Sequence, residues 1–315
     1  MKTTKINGKE LSAMTLGTVQ LGMNYGIANQ NGKPSENQSQ NMLYTAVQNG
    51  VTSFDTARSY GNSENVLGKF FMDNPEKKDV FLTSKLSVGL PDDSSEQAVE
   101  SSMFRSVEAS LEALNVESLD CLMLHNASDM TKYGHSVSKT LEKLISKGYI
   151  KMAGVSVYEP EELDIMMQDD IYRATQIPMS VFDRKWISQG YIERLKEKGI
   201  SVFVRSVFLQ GLFFLEPDKI TDPILLEYAK EPILKLRHLC SEANMSIAEF
   251  AISYIRDISG VTSLVLGADT QEQVLENIRY MNAPQIPQNI RKKISESFRD
   301  VNMEKIMEVL RRPKS

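Results

Sequence analysis

Apolar residues along this chain fall into two alternating kinds of run. Short β-branched or aliphatic runs occupy residues 15–22, 52–56, 80–86, 119–125, 152–157, 174–179, 201–208 and 263–267, and their composition predicts strands. Longer stretches with helical spacing lie between them. Residues 102–114 set Val107, Leu111 and Leu114 on one face, and residues 233–243 group Leu236, Leu239 and Cys240. Boundary residues agree with this reading. Ser35 with Gln38 three positions on reads as a capping box before the first long helix. Asn49-Gly50, Lys147-Gly148 and Lys198-Gly199 each read as a helix end just before a strand.

Strand-then-helix units repeated about eight times over about 270 residues predict a closed (β/α)8 TIM barrel. The open doubly wound sheet would show a glycine-rich phosphate loop and a helix behind its first strand. Here Gly17-Thr18-Val19-Gln20-Leu21-Gly22 is too widely spaced, and no helix is expected directly after it. Residues 284–310 predict an additional C-terminal helix, and 311–315 a frayed tail. No Pro/Ser/Gly linker divides the chain, so a single domain over 1–315 is expected. Three connections behind strands are long, at 29–35, 126–135 and 210–223. In a barrel all three would rim the C-terminal mouth, where substrates bind.

Composition narrows the function classes. Of 315 residues, 41% are hydrophobic and 24% charged, the balance of a globular protein with a large core. Lys plus Arg total 36 against 41 Asp plus Glu, with no basic block, which argues against nucleic acid as a partner. No apolar run reaches the roughly 20 residues that span a bilayer, so no membrane partner is expected. The polar start of the chain carries no apolar leader, and two cysteines, Cys121 and Cys240, make no disulfide framework, so a cytoplasmic location is expected. His135 and His238 lack partners at metal-ligand spacing, so no metal is expected. Cys121, within an apolar run, reads as a buried structural thiol, and Trp186 as packing.

Barrel architecture makes polar residues at strand ends the candidates for chemistry. Asp55 ends the second predicted strand, Tyr60 follows it, Lys85 ends the third and His125 the fourth. Neighbouring strands lie about 5 Å apart, so the four side chains are able to converge. Such a cluster suits proton transfer by a phenol to a carbonyl oxygen. An ammonium beside the tyrosine would bring its acidity toward working pH, an imidazole would share or orient the proton, and Asp55 would hold Lys85 charged. Singly each residue has an ordinary structural reading as a cap, an ion-pair partner or a core histidine; together they do not.

The segment Phe54-Asp55-Thr56-Ala57-Arg58-Ser59-Tyr60-Gly61-Asn62-Ser63-Glu64 strongly resembles the signature of the aldo-keto reductases. The resemblance extends over residues 17–277 and implies Tyr60 as general acid, Lys85 and His125 as the groups that tune it, and Asp55 as the partner of Lys85. It also implies an NADPH site, with NADH as the alternative. Gly17 and Thr18 match the family's approach to the nicotinamide. Ser156 stands where the family has a Ser-Asn pair, with Val157 in place of the Asn, and Gln176 matches a Gln that shares the carboxamide. Arg205 stands where the family often carries a stacking tyrosine. Ser206 through Gly211 would follow the pyrophosphate. Gly267-Ala268-Asp269-Thr270-Gln271-Glu272-Gln273-Val274-Leu275-Glu276-Asn277 is similar to the adenosine-binding turn and helix, with Glu276 and Asn277 facing adenine. Gly267, Ala268 and Gln273 replace the Lys, Ser and Arg that grip a 2′-phosphate in many relatives.

The expected activity is NAD(P)H-dependent reduction of an aldehyde or ketone. Arg205 and the polar residues 29–35 point to an acidic or polyhydroxylated small molecule such as a sugar derivative. Two other readings remain open at this point. One is a nucleotide-binding, redox-sensing barrel with little turnover; the other is a Schiff-base aldolase that uses Lys85 as nucleophile. The number of subunits is not addressed by these patterns.

Overall fold

The computed structural model of the protein describes residues 1–27, 29, 32–77 and 79–312. Parallel strands β3 (Met14–Gly17), β4 (Ser53–Asp55), β5 (Phe81–Leu86), β6 (Cys121–Leu124), β7 (Ala153–Ser156), β8 (Tyr172–Pro178), β9 (Ser201–Arg205) and β10 (Ser263–Gly267) follow β1 (Thr3–Ile6) and β2 (Lys9–Ser12). In the order β10-β3-β4-β5-β6-β7-β8-β9 they close a barrel of eight strands, the (β/α)8 TIM fold. Helices between the strands wrap its outside. The expected strands are all present, and the first is shorter than expected. It stops at Gly17, and a four-residue helix, Val19–Gly22, opens one residue later, contrary to the expectation that none would.

Alternation along each strand separates two cores. Phe81 on β5, Cys121 and Met123 on β6, and Phe203 on β9 fill the barrel. Leu82 and Leu86 on β5, Leu122 and Leu124 on β6, pack outward under the helices. Pairing continues past the strand ends, where the amides of Thr56, Arg58 and His125 donate to Thr83, Lys85 and Leu86 at 2.9, 3.0 and 2.7 Å. The loops that carry polar residues therefore leave the barrel in register.

An antiparallel hairpin of β1 and β2 closes the N-terminal end of the barrel. Its turn, Asn7-Gly8, has φ of 50° and 84°, the left-handed pair that a tight hairpin of this twist requires. Leu11 inserts beneath Phe81, Cys121, Met152 and Phe203, while Lys9 and Lys151 bind the carboxylate of Asp120 at 3.0 and 2.8 Å. Helix ends follow the sequence reading closely. Ser35 and Gln38 form the capping box, and Gly50, Gly148 and Gly199 all adopt positive φ after their helices.

The C-terminal region differs from expectation. Residues 284–310 form two helices, Gln288–Ser297 and Met303–Leu310, the second capped by Asn302, whose side chain accepts from the amide of Lys305. The tail is not frayed at its start. Arg312 binds Asp222 at 2.8 Å, and Arg311 lies over the ring of Tyr158 at 4.8 Å. Residues 313–315, like 28 and, within the connection 29–35, residues 30 and 31, lie outside the described residues. Among those described, no helix is long and apolar enough to cross a membrane.

Candidate active site

Three successive strand ends bring Asp55, Tyr60, Lys85 and His125 to the C-terminal mouth. Lys85 is 1% exposed and its ammonium donates to both oxygens of Asp55, at 2.7 and 2.6 Å, and to the carbonyl of Thr56 at 3.2 Å. Its third direction points at the hydroxyl of Tyr60, 3.4 Å away. Gln176 completes Asp55, donating its amide to Oδ1 at 2.7 Å. Burial disfavours the ammonium, but Asp55 and then Tyr60 reverse that and hold the pKa of Lys85 above its ordinary value. Lys85 is a paired cation here, not a free amine.

Tyr60 departs from the expectation that the ammonium would make it more acidic. Burial outweighs the pull of Lys85, and the phenol is raised above its ordinary value, so it stays protonated. His125 packs edge-on against Tyr60, ring centres 5.7 Å apart, and its Nδ1 lies 3.1 Å from the hydroxyl of Ser59. Burial, Lys85 and Arg205 push it down to about 4, which leaves the imidazole neutral. Cys121 lies inside the barrel, and burial raises its thiol well above the usual range, consistent with an inert packing residue.

Local packing explains the rest of the segment 54–64. Glu64 is buried and receives Arg58 at 2.5 Å and the hydroxyl of Ser84 at 2.7 Å, which stitches the Tyr60 loop to β5. Ser63 donates to Thr18 at 2.7 Å, and Thr18 to the carbonyl of Asp55 at 2.9 Å, which stitches it to β3. Gly22 and Gly61 meet backbone to backbone. A Cβ on Gly22 would lie 1.7 Å from the carbonyl oxygen of Tyr60, and one on Gly61 would lie 2.4 Å from that of Gly22. Gly61 also has φ of 57°.

A cavity of about 380 Å³ opens over this cluster and runs across the mouth. Of the residues named from the sequence, Gly17, Thr18, Asp55, Tyr60, Gln176, Arg205, Ser206, Gly211, Gly267, Gln273, Glu276 and Asn277 line it; Ser156 does not. Ser156 is buried at the end of β7, in register with Gln176. Lys85 and His125 do not line it; the first is buried beneath Tyr60 and the second packs edge-on against that ring. Arg205 reaches the carbonyl of Val157 at 3.3 Å and stacks on Tyr158 at 4.2 Å. At the far end Thr270 caps the helix Gln271–Tyr280, Gln273 binds the amide of Asp269 at 2.7 Å, and Asn277 donates to Gly267 at 3.1 Å. Sequence reasoning missed Gln20 and Tyr25, both in the cavity wall. Tyr25 sits in a loop with no periodicity to mark it; its aromatic ring in a polar stretch was the available signal. Among the described residues no cluster of His, Cys, Asp or Glu is arranged for a metal.

Residues 13–299 match the model of the aldo/keto reductase family. The chain belongs to that family. Its members are oxidoreductases that reduce carbonyls, and this aldo/keto reductase is one in that general sense. It is 22% identical over 307 residues to the L-glyceraldehyde 3-phosphate reductase of Escherichia coli, covering 88% of this chain and 86% of that protein. Among solved structures, it is similar to the aldo-keto reductase AKR11C1 of Bacillus halodurans in its holo form, with 20% identity, TM-score 0.75 and coverage of 94% and 96%. It is also similar to a Klebsiella pneumoniae aldo/keto reductase in complex with NADP and acetate, with 18% identity, TM-score 0.68 and 92% of each chain covered.

Proposed function

We propose that this aldo/keto reductase converts an aldehyde or ketone, of the polyhydroxylated kind that includes sugar derivatives, to an alcohol, with Tyr60 delivering the proton. One observation carries the reading: a hydroxyl held protonated in an open cavity, 3.4 Å from a buried ammonium that both oxygens of Asp55 keep charged. As a carbonyl oxygen gains negative charge, the O–H of Tyr60 is placed to donate to it, and Lys85 stabilises the phenolate left behind. Neutral His125, edge-on to Tyr60, offers a second polar contact without competing as an acid. Gln176 and Thr56 hold the Asp55–Lys85 pair in place. Oxidation of the alcohol is the same path reversed.

A nicotinamide dinucleotide, when bound, supplies the hydride, and the cavity suits one. Gln20 leaves its Oε1 buried without a donor among the described residues, against Gly267, where a Cβ would lie 2.3 Å from its amide nitrogen. That orphan acceptor and the missing side chain fit a ligand hydroxyl or amide beside β10. Ser206, Leu209, Gln210 and Gly211 all have positive φ, a succession of turns of the kind that shapes a phosphate cradle, with the amides of Leu209 and Gly211 donating to Ser206 and Phe208. Gly17, Thr18, Gln273, Glu276 and Asn277 would continue the contact. Family precedent favours NADPH, but Asp269 and Glu276 line the far end and no Lys or Arg does so there among the described residues. NADH is therefore expected to bind as well. A single barrel unit over 1–315, acting in the cytoplasm, completes the reading and is consistent with two free, buried cysteines.

The Schiff-base alternative needs a neutral amine, and Lys85 is instead an ion pair. The test follows the loss of reduced-nicotinamide absorbance with 4-nitrobenzaldehyde. Tyr60→Phe should lower kcat/KM on the order of 10²-fold or more. Undiminished turnover in that variant would remove Tyr60 from the reaction.

A further inference from the structure

Arg205 ends β9 inside the cavity wall, half-buried, beside Tyr60 and Tyr25. Its charge reaches both phenols and His125, working against burial at Tyr25 and Tyr60 and with it at His125. Yet the guanidinium has little to satisfy it. Of its five N–H groups, one donates to the carbonyl of Val157, and its face stacks on Tyr158. No carboxylate among the described residues comes within ion-pair range. Asp183 feels its field from the next strand end, but that carboxylate accepts from the backbone of Lys185. Asp55 is neutralised by Lys85. The wall around the Tyr60 hydroxyl therefore carries a net positive charge in a chain whose formal net charge is -5. A partly desolvated cation costs free energy unless an anion joins it.

We propose that Arg205 reads an anionic group, carboxylate or phosphate, carried by the carbonyl substrate itself. This rests on the reductase reading and adds the substrate's charge to it. The guanidinium's planar fork suits two oxygens of one carboxylate or phosphate. Tyr158 stacks on it at 4.2 Å, and Arg311, just past the C-terminal helix, lies over the same ring at 4.8 Å.

The test compares pairs of aldehydes that differ in charge: succinic semialdehyde against butanal for carboxylate, and glyceraldehyde 3-phosphate against glyceraldehyde for phosphate. In at least one pair the native enzyme should favour the anion in kcat/KM by about 10- to 100-fold. Arg205→Met, which keeps the apolar stem, should bring that ratio to within about twofold of one, and Arg205→Lys should restore part of it. The ratio isolates the substrate, because any loss through the dinucleotide falls on both members of a pair. A ratio near one in the native enzyme for both pairs, or a ratio that survives Arg205→Met, would overturn the proposal. A second readout needs no turnover. Succinate or glycerol 3-phosphate should raise the Tm of the native protein by about 2 °C or more at saturation and leave Arg205→Met unmoved. No rise in the native protein with either anion is equally fatal. Turnover of 4-nitrobenzaldehyde reports on the reductase reading separately, since that substrate has no anion to read.

Discussion

His125 faces two cations, Lys85 and Arg205, from a largely buried position, and its acid form is disfavoured down to about pH 4. An unfolded histidine takes its proton near pH 6.5, so between these values the unfolded chain binds more protons than the folded one. The stability that His125 contributes is full above pH 6.5 and is lost as the pH falls through about 4. Allowing for partial exposure of the ring, about 2 kcal/mol is at stake. Urea midpoints recorded from pH 7 to 4 for the native protein and His125→Asn should converge toward acid, as the variant lacks this loss; parallel curves would contradict the assignment. At this scale the sequence was informative wherever a polar residue ends an apolar strand, which is why Asp55, Lys85 and His125 were legible. The acidity of Tyr60 was not, because spacing along a chain carries no measure of burial. Gln20 was also hidden: its orphan oxygen arises from a contact with Gly267, far away in sequence.

Strands and their order were legible because buried parallel strands are written as short, nearly continuous apolar runs. The hairpin of β1 and β2 was not. Its residues are mostly charged or polar, since one side faces water, and Leu11, with Ile6 beside it, does the packing. Leu11 is 0% exposed and plugs the barrel floor. Leu11→Ala should destabilise the protein by about 2–4 kcal/mol, through lost burial plus the cavity left beneath Phe81 and Phe203. Urea denaturation checks this, and a loss below about 1 kcal/mol would mean that the hairpin is ornamental. The helix Val19–Gly22 escaped notice because four residues are too few to show a period. The interruption of the C-terminal region lay in plain view at Asp300 and Asn302, a turn-and-cap pair set inside helical spacing.

Across the whole molecule, one cavity joins a cationic end at Arg205 to an acidic end at Asp269 and Glu276. With Glu272 at the start of the same helix and no basic side chain lining that end among the described residues, discrimination for a 2′-phosphate lacks its usual ionic source. Dissociation constants of NADPH and NADH, measured by titration calorimetry, should fall within about tenfold of each other, a gap of about 1.4 kcal/mol. A preference of a hundredfold or more for NADPH would require a phosphate contact from residues outside those described. The barrel itself was readable from eight repeated units, whereas the cavity's character was not, since loops behind different strands each contribute a few side chains to it.

Gly22 and Gly61 have a wider meaning. Their contact is main chain against main chain, so the place of Tyr60 is set by the backbone path at these two glycines, which the Arg58–Glu64–Ser84 and Ser63–Thr18 contacts reinforce. Arg205 stands apart from that contact, at the end of β9. On the reading proposed above, the acid and the residue that chooses its substrate are held by different elements, so the second is free to change in identity and charge while the first stays where it is.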